Sequence, residues 1–197
     1  MKLLLATQNP NKVIELKRLS HNQLDVVSLS DLNIEEDVEE TGQTFEENAR
    51  LKALWAYHKT GIPCIADDSG LEITALNNEP GIYSARYLGV DTPYPVKNQI
   101  VLDRMQNHGD RSARFISVVC LVLSENDVHC FEGIMNGSIA IEAKGSNGFG
   151  YDPIFLPENH ALTYAEMDLS TKNTLSHRGQ AFRKAITYLE SRAEYEK

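Results

Sequence analysis

The stretch IPCIADDSGLEI, residues 62–73, decides the fold. Ile62–Ala66 is an apolar run of strand length, and apolar residues resume at Leu71 and continue to Ala75. Between them stand two adjacent carboxylates, Asp67 and Asp68, and a Ser69-Gly70 pair suited to a tight turn. Side chains alternate across a strand, so neighbours at a strand end point to opposite sides and only one of the two carboxylates can serve a given site. A strand ending on a polar turn is where open α/β sheets bind their ligands.

Working outward, strand and helix patterns alternate on both sides. Lys2–Ala6 reads as a strand, Asn11–Ser20 as a helix with Val13, Leu16 and Leu19 at helical spacing, and Leu24–Leu29 as a second strand. An acidic loop, Ser30–Gly42, leads into a helix from Thr44 to about His58, opened by a Thr44/Glu47 capping box. Asn77-Asn78 breaks the chain. A helix is expected over Pro95 to about Asn107, then a hairpin of Ala113–Ser124 and Val128–Met135, with Gly137–Glu142 as a third antiparallel strand. A last helix starts near Ser176. The pattern predicts an α/β fold with a mixed sheet. The chain lacks a Pro-, Gly- or Ser-rich linker, so residues 1–197 are expected to form a single domain.

Composition narrows the partners. A net charge of −9, from 28 acidic and 19 basic residues, repels nucleic acid and anionic membranes at long range. The longest apolar runs, such as Val118 to Leu123, fall far short of the about 20 residues that cross a bilayer. Leu3–Ala6 is too short for the about 7–15 apolar residues of a signal peptide, so a cytoplasmic protein is expected. Cys64, Cys120 and Cys130 sit in strand-like runs without metal-ligand spacing and are expected as reduced, buried thiols.

Four places carry candidate chemistry. In ATQNPNK, Thr7, Asn9 and Lys12 offer a hydroxyl, an amide and an ammonium at a helix N-terminus, a setting that suits phosphate. A carboxylate of the acidic loop can join Asp68 around Mg²⁺, which takes one or two carboxylates with water and substrate phosphates. In SNGFGYDPIF, glycines permit close backbone approach while Phe149 and Tyr151 offer aromatic faces to a planar base. In KNTLSHR, His177 and Arg178 lie in a first helical turn, where cations oppose the helix dipole unless they hold a ligand.

Taken together, ATQNPNK, EETGQTFEENARLKA, ADDSGLEI, PGIYSARY, FGYDPIF, YAEM and KNTLSHR resemble, in order and across essentially the whole chain, the inosine/xanthosine triphosphate pyrophosphatase family. The resemblance implies a two-lobed α/β fold, an elongated mixed sheet flanked by helices with the active-site cleft between lobes, usually as a homodimer. It implies Mg²⁺-dependent hydrolysis of non-standard purine nucleoside triphosphates (ITP and dITP, XTP and dXTP) to the monophosphate and pyrophosphate. Carried over by position, Thr7, Gln8, Asn9, Pro10, Asn11 and Lys12 surround the triphosphate. Glu39 resembles the metal-binding glutamate, with Glu40 beside it as the alternative. Asp68 resembles the metal-linked general base, with Asp67 supporting it and Ser69 next to the substrate. Phe149, Gly150, Tyr151 and Asp152 match the base-binding loop, and Lys172, His177 and Arg178 match further substrate contacts.

Overall fold

A computed structural model describes residues 2–19 and 24–195 of the chain. The expected strands and helices are present, with changes of detail. The first strand, β1 (Lys2–Leu5), leads into α1 (Pro10–Leu19), and β2 (Asp25–Ser28) pairs parallel to β1. Ser20, predicted as the end of α1, lies outside the described residues. The next helix, α2 (Phe45–Thr60), has Thr44 as N-cap, its hydroxyl accepting from Glu47 N at 3.1 Å. The reciprocal half of the capping box is displaced by one residue: Glu47 accepts from Gln43 N at 2.6 Å, so the helix entry is clamped a residue earlier.

The predicted strand–turn–strand around the carboxylates is one continuous strand, β3 (Cys64–Ile73). Ser69-Gly70 does not turn because apolar side chains on both flanks stay buried, and pairing overrides local turn preference. This strand pairs parallel with β1 at Leu4–Cys64 and Leu5–Ile65, and antiparallel with the short β4 (Glu79–Pro80). A break at Asn77-Asn78 follows, both residues in the left-handed region that Asn tolerates. After α3 (Tyr94–Arg104), β5 (Ser112–Ser124) turns through Glu125-Asn126 into β6 (Asp127–Ile139).

The predicted third strand over Gly137–Glu142 is instead the far end of β6. Its partner is β7 (Phe155–Pro157), registered antiparallel as Gly137–Pro157 to Ile139–Phe155. Sheet order is β2-β1-β3-β5-β6-β7, with β4 on β3. The C-terminal helix is preceded by one the sequence did not announce, α4 (Leu169–Leu175), capped by Asp168 accepting from Thr171 N at 2.8 Å. Ser176 is the C-cap of α4, and α5 (His177–Tyr195) starts at the next residue, where the sequence placed the start of the last helix.

Two compact units divide the chain: residues 1–68, 117–133 and 178–197 form the first, and residues 69–116 and 134–177 the second. The first packs Leu3, Leu5, Ile65, Val119 and Leu121 of its strands against Leu16 of α1 and Phe182, Ile186 and Leu189 of α5. Cys120 and Cys130, expected as thiols, form a disulfide in this unit. The two-residue turn folds β6 back along β5 and leaves their Cα atoms 4.1 Å apart. Cys64 is free, and burial pushes its thiol up to about 12. In the second unit, Leu71, Ile73, Val101, Leu102 and Met105 pack with the aromatic residues Phe115, Tyr151, Phe155 and Tyr164. Among the described residues, no helix is long and apolar enough to cross a membrane.

Candidate active site

The buried polar residues Glu15, Asn48 and Arg178 of the first unit converge on the two carboxylates of β3. Asp67 and Asp68 are 2% and 6% exposed, so neither is a solvated turn residue. Strand alternation sends them to different partners. Asp67 faces cations from two helices: Lys12 Nζ of α1 at 2.9 Å and Arg178 Nε of α5 at 3.1 Å. The Arg178 guanidinium is also held by Glu15 of α1 at 3.4 Å. Burial opposes ionisation of Asp67, but Lys12, Arg178 and Lys52 outweigh it and hold the carboxyl far below the usual range. The same burial pulls Lys12 below the ordinary lysine value, with Asp67 acting against that.

Asp68 faces α2. Its Oδ1 accepts from Lys52 Nζ at 3.1 Å and its Oδ2 from Asn48 Nδ2 at 3.3 Å. Asn48 and Lys52 stand one turn apart on the helix, hence on one face. Lys52 also binds Glu40 at 2.6 Å, and Asn48 Oδ1 accepts from Gly42 N at 2.8 Å, so both residues tie the acidic loop to Asp68. Burial raises the Asp68 carboxyl and the neighbouring Glu40 charge adds to this, with Lys52 opposing. Burial lowers Lys52, but Asp68, Asp67 and Glu40 together leave it raised. Lys52 and Asp68 therefore form a charged pair, and Asp68 has a greater proton affinity than a surface aspartate.

Glu39, the expected metal ligand, is exposed, whereas Glu40 shares the Lys52 ammonium with Asp68. Two carboxylates gathered at one ammonium form a donor set that a hard divalent cation fits. Among the described residues no three His, Cys, Asp or Glu side chains group as a metal cage. A site of this kind leaves coordination positions to water and phosphate oxygens, the arrangement magnesium favours.

Other expected contacts from the N-terminal motif are structured by local bonds. Thr7 Oγ1 accepts from Asn9 N at 3.1 Å, shaping the entry to α1. Gln8 donates to Ile34 O at 2.8 Å and accepts from Ser30 at 3.1 Å, pinning the start of the acidic loop. Pro10 is the first residue of α1, where its missing N–H costs nothing. The side chain of Asn11 lies outside those described.

The second unit holds the aromatic set. Asp152 is 3% exposed; its Oδ2 accepts from Phe149 N at 2.8 Å and from Lys172 Nζ at 2.6 Å. Lys172 lies 5.0 Å from the Phe149 ring centroid, so a cation backs an aromatic face that remains half-buried. Gly148 has φ +74, and a Cβ there would collide with the Asp152 carboxylate, so this turn requires glycine. Tyr151, expected to offer a stacking face, is an anchor instead. Its ring is 3% exposed and edge-on to Tyr94 at 5.4 Å, and its hydroxyl donates to Ser84 O at 2.9 Å. His177 is likewise packed, its imidazole stacked on Phe115 at 4.6 Å and 7°. Ser69, half-buried in β3, belongs to this unit.

The sequence reading thus named Lys12, Asp67, Asp68 and Arg178, which the first unit brings together, and Phe149, Asp152 and Lys172, which the second brings together. It missed Lys52, Asn48 and Glu15. The available signal was the spacing of Asn48 and Lys52 among Ala49, Ala53 and Ala56, a small apolar helix face interrupted by two polar residues that must be paid for by function or pairing.

Comparison with known proteins covers the whole chain rather than the site residues. Residues 3–188 match the model of the Ham1 family. A protein of Christiangramia forsetii named dITP/XTP pyrophosphatase is 46% identical over 189 residues, 96% of this chain and 99% of the relative. The structure of a HAM1 protein from Coxiella burnetii superposes with a TM-score of 0.90 at 41% identity, covering 97% of this chain and 99% of that one. The Staphylococcus aureus Ham1 protein gives 0.89 at 38%, covering 98% and 100%. The chain belongs to the Ham1 family.

Proposed function

We propose that this protein hydrolyses ITP, dITP, XTP and dXTP to the monophosphate and pyrophosphate, acting as a homodimer that clears non-standard purines from the nucleotide pool. The observation that carries the reading is the buried group of Lys12, Lys52, Asp67, Asp68 and Arg178. Cations of this kind suit a polyanion, while a raised carboxyl suits proton transfer. Its relatives named dITP/XTP pyrophosphatase support the substrate class.

Asp68 takes the role of general base, accepting a proton from the water that attacks the α-phosphorus. Lys52 and Asn48 hold its two oxygens in place. Lys12 offsets negative charge on the triphosphate, and Asp67 opposes the loss of charge that burial favours at Lys12. Glu40, rather than Glu39, would join Asp68 to hold Mg²⁺, which would supply charge neutralisation at the phosphate oxygens. A positioned base contributes about 10²–10⁴-fold, so binding and charge supply the larger share of the rate.

Phe149 offers its face to the base, with Lys172 and Asp152 fixing the loop beneath it. Stacking accepts any purine, so selectivity comes from donors. A donor set on the 6-keto oxygen of hypoxanthine or xanthine cannot accept from an adenine amino group. The test is a comparison of kcat/KM for ITP, XTP, GTP and ATP with Mg²⁺ and with a chelator. ITP and XTP should exceed ATP by roughly tenfold or more, since facing donors cost about 1–3 kcal/mol. Equal efficiency across the four would refute the assignment.

A further inference from the structure

The aromatic loop is braced from two directions, and only one brace has been given a purpose. On one side Asp152 and Lys172 hold Phe149. On the other stands α3, a helix without acidic or nucleophilic residues in the proposed chemistry. Its Tyr94 packs edge-on to Tyr151 at 5.4 Å, and its Asn98 donates from Nδ2 to the Gly150 carbonyl at 3.1 Å. Lys97, next in the chain and 1% exposed, donates to Ala85 O at 2.7 Å, one residue beyond the Ser84 carbonyl that anchors Tyr151.

Asn98 is the unexpected member of this helix face. It is 4% exposed, among Val101, Leu102 and Met105, and its Oδ1 is buried without a hydrogen-bond partner among the described residues. An amide that satisfies one end and strands the other is a poor choice for stability, because an unpartnered buried acceptor is costly and a leucine of similar size would avoid it. What the amide gains is control of one peptide. Gly150 has φ +71, a conformation glycine leaves easily, and its bond to Tyr151 is trans. In a trans peptide the carbonyl and the following N–H point opposite ways, so holding the Gly150 carbonyl towards α3 turns the Tyr151 N–H away from it.

We propose that Asn98 is a positioning residue for base recognition: by holding the Gly150 carbonyl it fixes the 150–151 peptide plane, and with it the backbone beside the Phe149 ring. It acts on how tightly the purine is held and leaves the phosphates untouched. This rests on the reading of the Phe149–Asp152 loop as the base-binding element.

The experiment uses the full-length protein with Asn98→Leu and Asn98→Asp. Both should raise KM for ITP, by roughly tenfold, with kcat little changed. The competitive inhibition constant of inorganic triphosphate, which carries no base, should stay at its wild-type value. Asn98→Asp should be the worse of the two, because it sets an acceptor against the Gly150 carbonyl. Asn98→Leu should melt at or above the wild-type temperature, a result that a purely structural role would not give. An unchanged KM for ITP in both variants would overturn the proposal. So would a parallel rise in KM and in the triphosphate constant, or a KM increase that appears only with a lowered melting temperature. A wild-type protein that does not turn over ITP would overturn the functional reading and this inference with it; wild-type turnover with unaffected variants would overturn the role of Asn98 alone.

Discussion

Replacing Asp67 by Asn isolates the buried charge that organises the first unit. The substitution keeps shape and removes one negative charge from between Lys12 and Arg178, which are 17% and 5% exposed at their side chains. Removing one partner of a buried ion pair typically costs about 3–5 kcal/mol, since the other charge stays buried without its counter-ion. Arg178 retains Glu15, and an Asn oxygen can still accept from its Nε, so the lower end of that range applies. At about 2–4 °C per kcal/mol for a chain of this size, about 3 kcal/mol corresponds to a fall in Tm of roughly 6–12 °C. The sign with pH follows from the direction of the shift. Asp67 is held below its unfolded value, so its stabilisation is complete above the ordinary carboxylate range and declines as pH falls from that range towards the depressed folded value. Melts of wild type and Asp67→Asn from pH 7 down to pH 3 should therefore show a wide gap that narrows below about pH 4, where Asp67 of the unfolded chain takes up its proton while the folded carboxyl stays ionised. Lys12, relieved of its partner, should lose charge more readily, and KM for ITP should rise with it. A gap below about 2 °C at pH 7, or one that widens on acidification, would refute the reasoning.

Asp68→Asn should retain most nucleotide affinity while losing turnover by roughly 10²-fold or more, because the amide cannot act as base and is a poor cation ligand; near-normal turnover at saturating Mg²⁺ would remove Asp68 from the chemistry. Glu40→Gln should raise the Mg²⁺ concentration needed for half-maximal activity, whereas Glu39→Gln, an exposed position, should leave it unchanged; titrating Mg²⁺ against both variants decides between the neighbours.

Much of the fold was legible because its strands are short apolar runs bounded by Asn, Gly and Pro, and because Thr44 and Glu47 announce α2. Alternation along β3 also held, sending Asp67 to Lys12 and Arg178 and Asp68 to Lys52 and Asn48. What failed were features set by distant partners. Ser69-Gly70 is turn-like in isolation but is kept extended by burial on both flanks, and the end of β6 is defined by β7, a three-residue strand with no periodicity to announce it. The same holds within the site. Tyr151 looks like a stacking face until Tyr94 and Ser84 claim its ring and hydroxyl. Lys52 and Asn48 were hidden because a lysine and an asparagine in a helix ordinarily face water; only the packing of α2 shows that they do not.

The most direct test of the central claim is the position of bond cleavage. ITP hydrolysed with Mg²⁺ in water enriched in heavy oxygen should give a labelled inosine monophosphate and an unlabelled pyrophosphate, the outcome of the proposed attack of water on the α-phosphorus. Label in pyrophosphate, or release of orthophosphate as the labelled product, would contradict the account.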